Sequence, residues 1–324
     1  MKKPLFPLFV LLLSGMLAGA CLTMEPAHPP LIVVEKAHIF GSKKVAFSPS
    51  GKYLASTGLT GGIKIWSVPE LELLQTFTRH HDTPWGIVWL NEATLVSGDD
   101  DGKILRWRFE DNRVSLVQNT SSSVTTLLFL PRWNMLISGH ADGRLRAFSP
   151  NDFKPLAEFE AGARILSAAA TRAEDMIAVS TLDWRVILLD PHLTPVRRLT
   201  SPPLNAVEVA FSPDGKQLAA GNWFKLFFWD VPTDTFKVVK SDHYGVPFSL
   251  DYSPDGRFLA TIGRHTDSEI YLVDPQSGKS LRHLKRHKLC GASVRFSPEG
   301  RYLASVSDDG SVRLYDIAAP YAPR

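Results

Sequence analysis

The chain has 324 residues, 44% of them hydrophobic and 21% charged, a balance that is typical of a folded protein with a substantial core and that excludes an intrinsically disordered chain. Its formal net charge is +3, and without Lys2 and Lys3 near the start 34 basic residues face 33 acidic ones. Because affinity for nucleic acid comes largely from neutralising phosphates, so small an excess predicts no nucleic-acid partner.

The first 21 residues have the layout of an export signal. Two lysines precede an apolar run, and small residues precede Cys21. The run is shorter than the ~20 apolar residues of a spanning helix and contains Pro4 and Pro7. The segment LAGAC resembles a bacterial lipoprotein signal, in which Cys21 would be acylated, although Ala18 stands where leucine is usual. We therefore predict a lipoprotein-type signal peptide over residues 1–20; a cleaved signal without lipid and an uncleaved anchor are the alternatives.

A lipid on Cys21 would hold the folded part close to a membrane. Residues 21–30 form a proline-bearing tether that reaches at most ~35 Å when extended. Leu22 follows the cysteine where an aspartate would indicate inner-membrane retention, so the outer membrane, facing the periplasm, is favoured if the source has two membranes. The sequence contains one other cysteine, Cys290, which we expect to be a buried small side chain outside any disulfide.

A unit of about 41 residues recurs seven times between about His38 and Ile317. Its marker is a turn of the type FSPDG, in which proline presets φ and glycine accepts a positive φ. Apolar residues alternate with a period of two within the units, which indicates four short antiparallel strands, the content of one propeller blade. We predict an all-β, seven-bladed β-propeller with four-stranded antiparallel blades over residues 31–317, followed by a C-terminal tail, 318–324. The turn motif starts, in clear or degraded form, at Phe47, Trp89, Phe129, Ala170, Phe211, Tyr252 and Phe296.

Each unit also carries an aromatic or apolar residue at one fixed position, often followed by Asp, and this pattern resembles the WD-repeat family of β-propellers. That position holds Trp66, Trp107, Phe148, Leu189, Trp229, Val273 and Tyr315. The resemblance implies an aspartate six residues earlier that bonds to the turn backbone and to the histidine of a Gly-His pair, and that acts on stability and not on catalysis. These aspartates are Asp101, Asp142, Asp183, Asp267 and Asp309, and the matching histidines are His38, His80, His243 and His287.

The last unit lacks a fourth strand of its own. The segment LIVVEK, Leu31–Lys36, precedes the first unit and has no hairpin partner. In a closed ring it would supply the outer strand of the seventh blade and remove a free sheet edge. We therefore predict that the last blade is closed by the N-terminal strand.

Motifs of catalysis and cofactor binding are absent from the sequence. It contains no G-x-S-x-G, H-E-x-x-H or C-x-x-C-H and no phosphate-binding glycine loop. His265 and Asp267 lie in an enlarged loop of the sixth unit, either as solvated residues or as a polar site on the rim. The resemblance implies that residues just before each first strand face the channel, and here they offer one charge and no carboxylate, so we predict no catalytic residue, cofactor or metal. They are Gly41, Thr83, Ser123, Arg164, Asn205, Val246 and Cys290.

Two aromatic residues, Trp223 and Phe224, stand where sister units keep Asp-Gly. We expect Gly221-Asn222 to form a two-residue hairpin by itself and Trp223 to begin the next strand. With Trp184 of the neighbouring unit, the two aromatics form either a recognition patch or a filling for the gap between blades. The candidate partner contacts are Trp184, Trp223, Phe224, Arg164 and Trp85.

These features together predict a non-catalytic protein-interaction scaffold that is exported, membrane-tethered and bound to other proteins on a propeller face. Two alternatives stay open. One is an enzyme or small-molecule-binding protein that uses the central channel, against which the nearly uncharged ring argues. The other is a subunit of an envelope assembly complex.

Overall fold

The computed structural model describes residues 27–200, 206–265 and 267–318. The predicted signal peptide, most of the tether and most of the C-terminal tail lie outside these residues. Within them, 28 strands form seven sheets of four antiparallel strands each. The predicted all-β propeller with seven four-stranded blades is therefore confirmed.

Blades 1 to 4 follow one another along the chain after β1 (Ile32–Val34), and each adds its strands from the channel outwards. Blade 1 contains β2 (Ser42–Phe47), β3 (Tyr53–Gly58), β4 (Gly62–Ser67) and β5 (Leu73–Thr78). Blade 2 contains β6 (Pro84–Asn91), β7 (Thr94–Asp99), β8 (Lys103–Arg108) and β9 (Arg113–Asn119). Blade 3 contains β10 (Val124–Leu130), a short 3-10 helix (Pro131–Trp133), β11 (Met135–His140), β12 (Arg144–Phe148) and β13 (Pro155–Glu160). Blade 4 contains β14 (Ile165–Ala170), β15 (Ile177–Thr181), β16 (Val186–Leu189) and β17 (Pro195–Leu199).

Blades 5 to 7 repeat the same order. Blade 5 contains β18 (Val209–Phe211), β19 (Gln217–Asn222), β20 (Lys225–Asp230) and β21 (Thr235–Lys240). Blade 6 contains β22 (Val246–Tyr252), β23 (Leu259–Arg264), β24 (Ile270–Val273) and β25 (Ser280–Leu284). Blade 7 contains β26 (Gly291–Phe296), β27 (Tyr302–Ser307) and β28 (Val312–Asp316), with β1 as its outermost strand.

The seven sheets close into a ring around a central channel. The first strand of each blade contacts the first strands of both neighbouring blades, and β26 of blade 7 contacts β2 of blade 1. β1 pairs antiparallel with β28, with Ile32 opposite Leu314 and Val34 opposite Val312. This pairing confirms the predicted closure by the N-terminal strand, because it covers the edge that β28 would otherwise expose.

The chain just before β1 is also bound to blade 6. The His28 N–H donates to the His283 carbonyl at 2.8 Å, and the Lys285 N–H donates to the His28 carbonyl at 2.8 Å. His28 thereby forms a parallel bridge with Leu284, next to the outer strand β25. The N-terminal segment therefore ties the last two blades together at their outer edge.

The hydrophobic core lies between adjacent sheets. Middle strands are covered on both sides by neighbouring blades, so that all six residues of β11 are buried. The outer strand β13 of the same blade has no buried residue. Trp107 and Trp229 are among the largest fully buried side chains, and the burial of one such side chain contributes roughly 2–3 kcal/mol.

The antiparallel strand order distributes the turns over two faces. We call the upper face the one that carries the turns between second and third strands and the connections between blades; the lower face carries the remaining turns. The FSPDG-type turns lie on the lower face. In blade 5, the Gly215 N–H donates to the Ser212 carbonyl at 2.8 Å, and Gly215 has a φ of 70°. Trp184, Trp223 and Phe224 lie in second-to-third-strand turns and therefore on the upper face.

Candidate interaction face and central channel

A buried histidine–aspartate network organises the upper face of blade 6. Nδ1 of His243 lies 2.6 Å from Oδ2 of Asp267, and Nε2 lies 2.9 Å from the Thr261 hydroxyl. The Asp267 carboxylate also accepts the backbone N–H groups of Tyr244 and Glu269. Burial opposes ionisation of Asp267, but the bond from His243 and the backbone donors outweigh it and lower its pKa. Asp267 therefore joins the turn of blade 6 to the connection that precedes this blade.

Blade 7 carries a second network of the same kind. Nδ1 of His287 lies 3.3 Å from Oδ2 of Asp309, and Nε2 lies 2.7 Å from the Ser305 hydroxyl. Asp309 accepts the backbone N–H groups of Lys288 at 2.9 Å and Ser311 at 2.8 Å. These donors lower the pKa of Asp309 although burial opposes its ionisation. Asp309, like Asp267, binds backbone groups of its own turn.

In blade 2, the carboxylate that meets the histidine belongs to Asp99 and not to Asp101. Nδ1 of His80 lies 2.5 Å from Oδ2 of Asp99, and Nε2 lies 2.6 Å from the Ser97 hydroxyl. The Trp107 indole N–H donates to the same hydroxyl at 2.6 Å. Asp99 ends β7 and is fully buried, whereas Asp101 lies two residues further along at the turn tip, so only Asp99 reaches His80.

Three of the expected aspartates pair with basic side chains at turn tips. Blades 3 and 4 have no histidine at the position that would meet the carboxylate, so the aspartate is left near the surface. Exposed pairs of this kind contribute at most about 1 kcal/mol. The pairs are Asp101 with Lys103, Asp142 with Arg146, and Asp183 with Arg185.

The turn of blade 5 is formed by Trp223 and Phe224 themselves. Asn222 pairs with Lys225 across the hairpin, and Phe224 has a φ of 59°. The expectation of a turn at Gly221-Asn222 was wrong, because both residues belong to β19. A Cβ on Gly221 would lie 2.0 Å from the Pro247 carbonyl oxygen, so this glycine is required by the close approach of β22.

Both turn aromatics are half exposed, at 48% for Trp223 and 47% for Phe224. They therefore do not fill the gap between blades. The Phe224 N–H donates to the Gly245 carbonyl at 2.9 Å, and its carbonyl accepts the Ser241 N–H at 2.8 Å. These bonds attach the turn to the connection between blades 5 and 6, which also carries the exposed side chain of Tyr244.

Trp184 occupies the corresponding turn of blade 4. Its side chain is 50% exposed and its φ is 71°. The Trp184 N–H donates to the Thr181 carbonyl, and in four other blades the same turn bond is made by a glycine with positive φ. Those glycines are Gly61, Gly102, Gly143 and Gly310.

Trp85 and Arg164 lie in the lining of the central channel. The Trp85 indole N–H donates to the Asp100 carboxylate at 2.7 Å, and the Lys43 ammonium lies 5.6 Å from its ring centre. The Arg164 carbonyl accepts the N–H of Leu182, in the turn that contains Trp184. The five candidate contacts thus fall into two places, with Trp184, Trp223 and Phe224 on the rim and Trp85 and Arg164 at the channel.

The channel encloses a cavity of about 630 Å³ lined by residues of all seven blades. Only one charge was expected among the residues that face the channel, and this expectation was wrong. Four further charged residues line the cavity, and two of them are carboxylates. Lys44, Asp251 and Arg295 lie inside the first strands of their blades, where alternate side chains point to the channel, and Glu208 lies directly before β18.

Three of these residues, Lys44, Glu208 and Arg295, form an ionic network across the channel. The Arg295 guanidinium donates to the Glu208 carboxylate, and the Lys44 ammonium lies 3.7 Å from it. Burial opposes ionisation of Glu208, but Arg295 and Lys44 outweigh it and lower its pKa. Asp251 accepts the Phe296 N–H at 2.7 Å, and burial raises its pKa to about 6. The ionic network links blades 1, 5 and 7, and the bond from the Phe296 N–H links Asp251 of blade 6 to blade 7.

Other candidate sites carry little chemistry. The described residues include no group of three or more His, Cys, Asp or Glu side chains that could hold a metal ion. No helix in the described part of the chain is long and apolar enough to cross a membrane. Cys290 is partly exposed, contrary to expectation, and its thiol donates to the His265 carbonyl at 3.3 Å.

Two segments at the ends of the propeller, residues 32–67 and 278–316, match the WD40 family, described as WD domain, G-beta repeat. The seven four-stranded sheets define the class of the protein, which is a seven-bladed β-propeller, and its two matched segments are similar to WD40 repeats. WD40 propellers typically act as protein-interaction scaffolds.

Several known proteins are similar to this chain. The meiotic recombination protein rec14 of Schizosaccharomyces pombe is 32% identical over 33% of this chain and 35% of its own length. The WD repeat-containing protein WDS homolog of Arabidopsis thaliana is 26% identical over 86% of this chain and 56% of its own length. The DDB1- and CUL4-associated factor 10 of Xenopus tropicalis is 36% identical over 26% of this chain and 18% of its own length. The matches thus span from under a fifth to just over half of these relatives.

Proposed function

We propose that the protein is a non-catalytic scaffold that docks a partner protein on its upper face, around Trp184, Trp223 and Phe224. The position of Trp184 carries this proposal. A large residue in the left-handed region costs on the order of 1 kcal/mol, and four sister blades avoid this cost with glycine. The Trp184 ring remains half exposed, so burial in the core does not offset the cost.

The surface around these rings has the composition of a protein-binding site. Half-exposed Trp and Phe rings offer large apolar contact areas, and Trp is the residue most enriched at interface hot spots. Exposed Leu182 and Tyr244 extend the apolar area over the turns and connections of blades 4 to 6. We propose a partner segment that inserts apolar side chains among these rings. The similarity to an Arabidopsis WD-repeat protein and to a factor named for its association with other proteins supports an interaction role.

Site-specific photo-crosslinking in the native cell tests the docking face. A photoreactive phenylalanine analogue replaces Trp184 or Trp223, and the matched control carries it at Trp133, a partly exposed tryptophan on the lower face. We expect one adduct of defined mass from positions 184 and 223 and none from position 133. Absence of adducts from the upper face, or the same adduct from position 133, would contradict the proposal.

The proposal includes export and a lipid tether at Cys21. The support is the signal-like N-terminus and the short segment between Cys21 and β1. Stable anchoring needs more than one acyl chain, which bacterial lipoproteins carry. We expect Cys21→Ser to move the protein from the membrane to the soluble fraction, whereas Cys290→Ser stays with the membrane. A Cys21→Ser protein that remains membrane-bound would show that the anchor is a helix.

A further inference from the structure

The central cavity has charged and aromatic walls, and the residues that form them are not part of the docking face. Its volume of about 630 Å³ is in the range of small-molecule sites, which span roughly 300–1,000 Å³. It is lined by the cations Lys44, Arg164 and Arg295 and by the carboxylates Glu208 and Asp251. The cavity therefore carries one more positive than negative charge when both carboxylates are ionised.

The charges are unevenly paired. Glu208 is shared by two cations, Arg295 in direct contact and Lys44 at 3.7 Å. Arg164, at the cavity wall, forms no ion pair with any described residue. Asp251 is engaged by a backbone N–H and forms no ion pair with a described residue either. A cation that has no counterion of its own attracts an anion, so the excess of positive charge along the cavity wall favours an anionic ligand.

The remaining walls suit the apolar part of an organic molecule. The Phe248 ring lines the cavity, with the Arg264 guanidinium 4.8 Å from its centre. Trp85 lines the cavity as well, and its indole is held by the bond to Asp100. Rings held in place by neighbours offer a preformed surface, which lowers the cost of binding.

We propose that the central cavity binds a small organic anion, whose acidic group is held by Arg295 and Lys44, with Arg164 as a further cation of the site, and whose apolar part packs on Phe248 and Trp85. A carboxylate and a phosphate ester share this chemistry, and the experiment separates them. The site is distinct from the docking face, so it stands or fails independently of the partner protein.

Titration calorimetry with matched probes tests the proposal on the folded, lipid-free chain. Benzoate and phenyl phosphate carry the two kinds of acidic group, while benzyl alcohol and benzylamine share the ring without the negative charge. At about 10 mM, ten times a weak Kd of ~1 mM, we expect heat from at least one of the anions and none from the uncharged or cationic probe. No binding of either anion, or equal binding of benzyl alcohol, would overturn the proposal.

Substitutions assign the binding to the cavity. Arg295→Gln removes hydrogen bonds to a charged group, so the affinity for the anion should fall roughly tenfold to a hundredfold. Arg295 belongs to a buried network, and its loss could unfold the chain. Arg164→Gln therefore provides a second variant, because Arg164 is exposed and forms no ion pair with a described residue. This substitution should weaken binding of the anion by about threefold or more. Arg113→Gln on the outer strand β9 is the matched control and should bind as the wild type does. Unchanged affinity in folded Arg164→Gln and Arg295→Gln would place the anion elsewhere and contradict the assignment.

Discussion

Trp223 stacks on His265: their ring centroids lie 4.9 Å apart, and their planes differ by 15°. Trp223 belongs to the turn of blade 5 and His265 to the loop of blade 6, so the contact joins two blades on the upper face. Aromatic pairs of this kind contribute about 0.5–1.5 kcal/mol beyond their buried area. The stack holds the Trp223 ring in one place while about half of the side chain stays exposed, which is the arrangement of a preformed contact surface.

Replacement of Trp184 by glycine should separate binding from stability. Trp184→Gly relieves the positive-φ strain of the folded state but increases the conformational entropy of the unfolded chain. Because these effects oppose each other, we expect the free energy of unfolding to change by no more than ~1 kcal/mol. Partner capture should fall at least tenfold if Trp184 is a hot spot. Denaturant unfolding and quantitative co-purification measure the two effects. Trp133→Ala serves as the control and should leave partner capture unchanged.

The opposite outcome would show that Trp184 has a structural role. A buried tryptophan replaced by a small residue costs about 3–5 kcal/mol, as we expect for Trp107→Ala in the core of blade 2. A loss of that size in Trp184→Gly, with partner capture intact in the folded fraction, would contradict the docking face.

Asp99 and Asp101 form a matched pair that tests the network of blade 2. Asp99→Ala leaves the buried His80 with a lost partner and should cost on the order of 1–3 kcal/mol. Asp101→Ala removes an exposed pair with Lys103 and should change stability by less than ~1 kcal/mol. Thermal unfolding of both variants measures the difference, and equal losses would show that the network does not depend on Asp99.

The stability of the propeller should fall as the pH falls from about 6.5 to about 4. Burial lowers the pKa of His38 and of His140 from 6.5 to about 4, with a smaller contribution from Lys64 and Arg146, respectively. Between these two pKa values the histidines are protonated in the unfolded chain but remain neutral in the folded chain. The stability that is present above pH 6.5 is therefore lost on acidification. Each histidine accounts for about 3 kcal/mol at most. Asp251 has the opposite effect on stability, because burial raises its pKa to about 6. Its protonation in the folded protein offsets part of the stability that the histidines lose.

A histidine substitution checks this pH dependence. His38→Gln should be less stable than the wild type at pH 7.5 but should lose less stability between pH 7 and pH 4.5. Denaturant unfolding at the two pH values gives the difference. His192→Gln, at an exposed position, should keep the slope of the wild type. A His38→Gln protein with an unaltered slope would show that this group does not drive the acid sensitivity.

Removal of β1 should destabilise the closed ring. A chain that starts at Ala37 lacks the pairs of β1 with β28 and exposes Val312 and Leu314, whereas a chain that starts at Ala27 keeps them. We expect a lower thermal midpoint and more aggregation for the shorter chain, because an unpaired apolar edge associates with other edges. Identical midpoints for the two chains would mean that blade 7 is stable with three strands.

The sequence by itself determined the number of blades, their strands and the closure of the ring. Each of these follows from short-range signals: alternation with a period of two, turns marked by proline and glycine, and a repeat length that fits one blade. The pairing of β1 with β28 was predictable because one blade lacked a strand and one strand lacked a partner. Local chemistry therefore suffices for the architecture.

Only the tertiary structure decided which side chains meet. The His80 partner is Asp99 because β7 turns that carboxylate inward, and the repeat pattern pointed to Asp101 two residues away. Gly221 is needed for a neighbouring strand and not for a turn, a requirement that no local pattern contains. The ionic network of Lys44, Glu208 and Arg295 draws on blades 1, 5 and 7, and its members come together because ring closure makes distant parts of the chain face one channel.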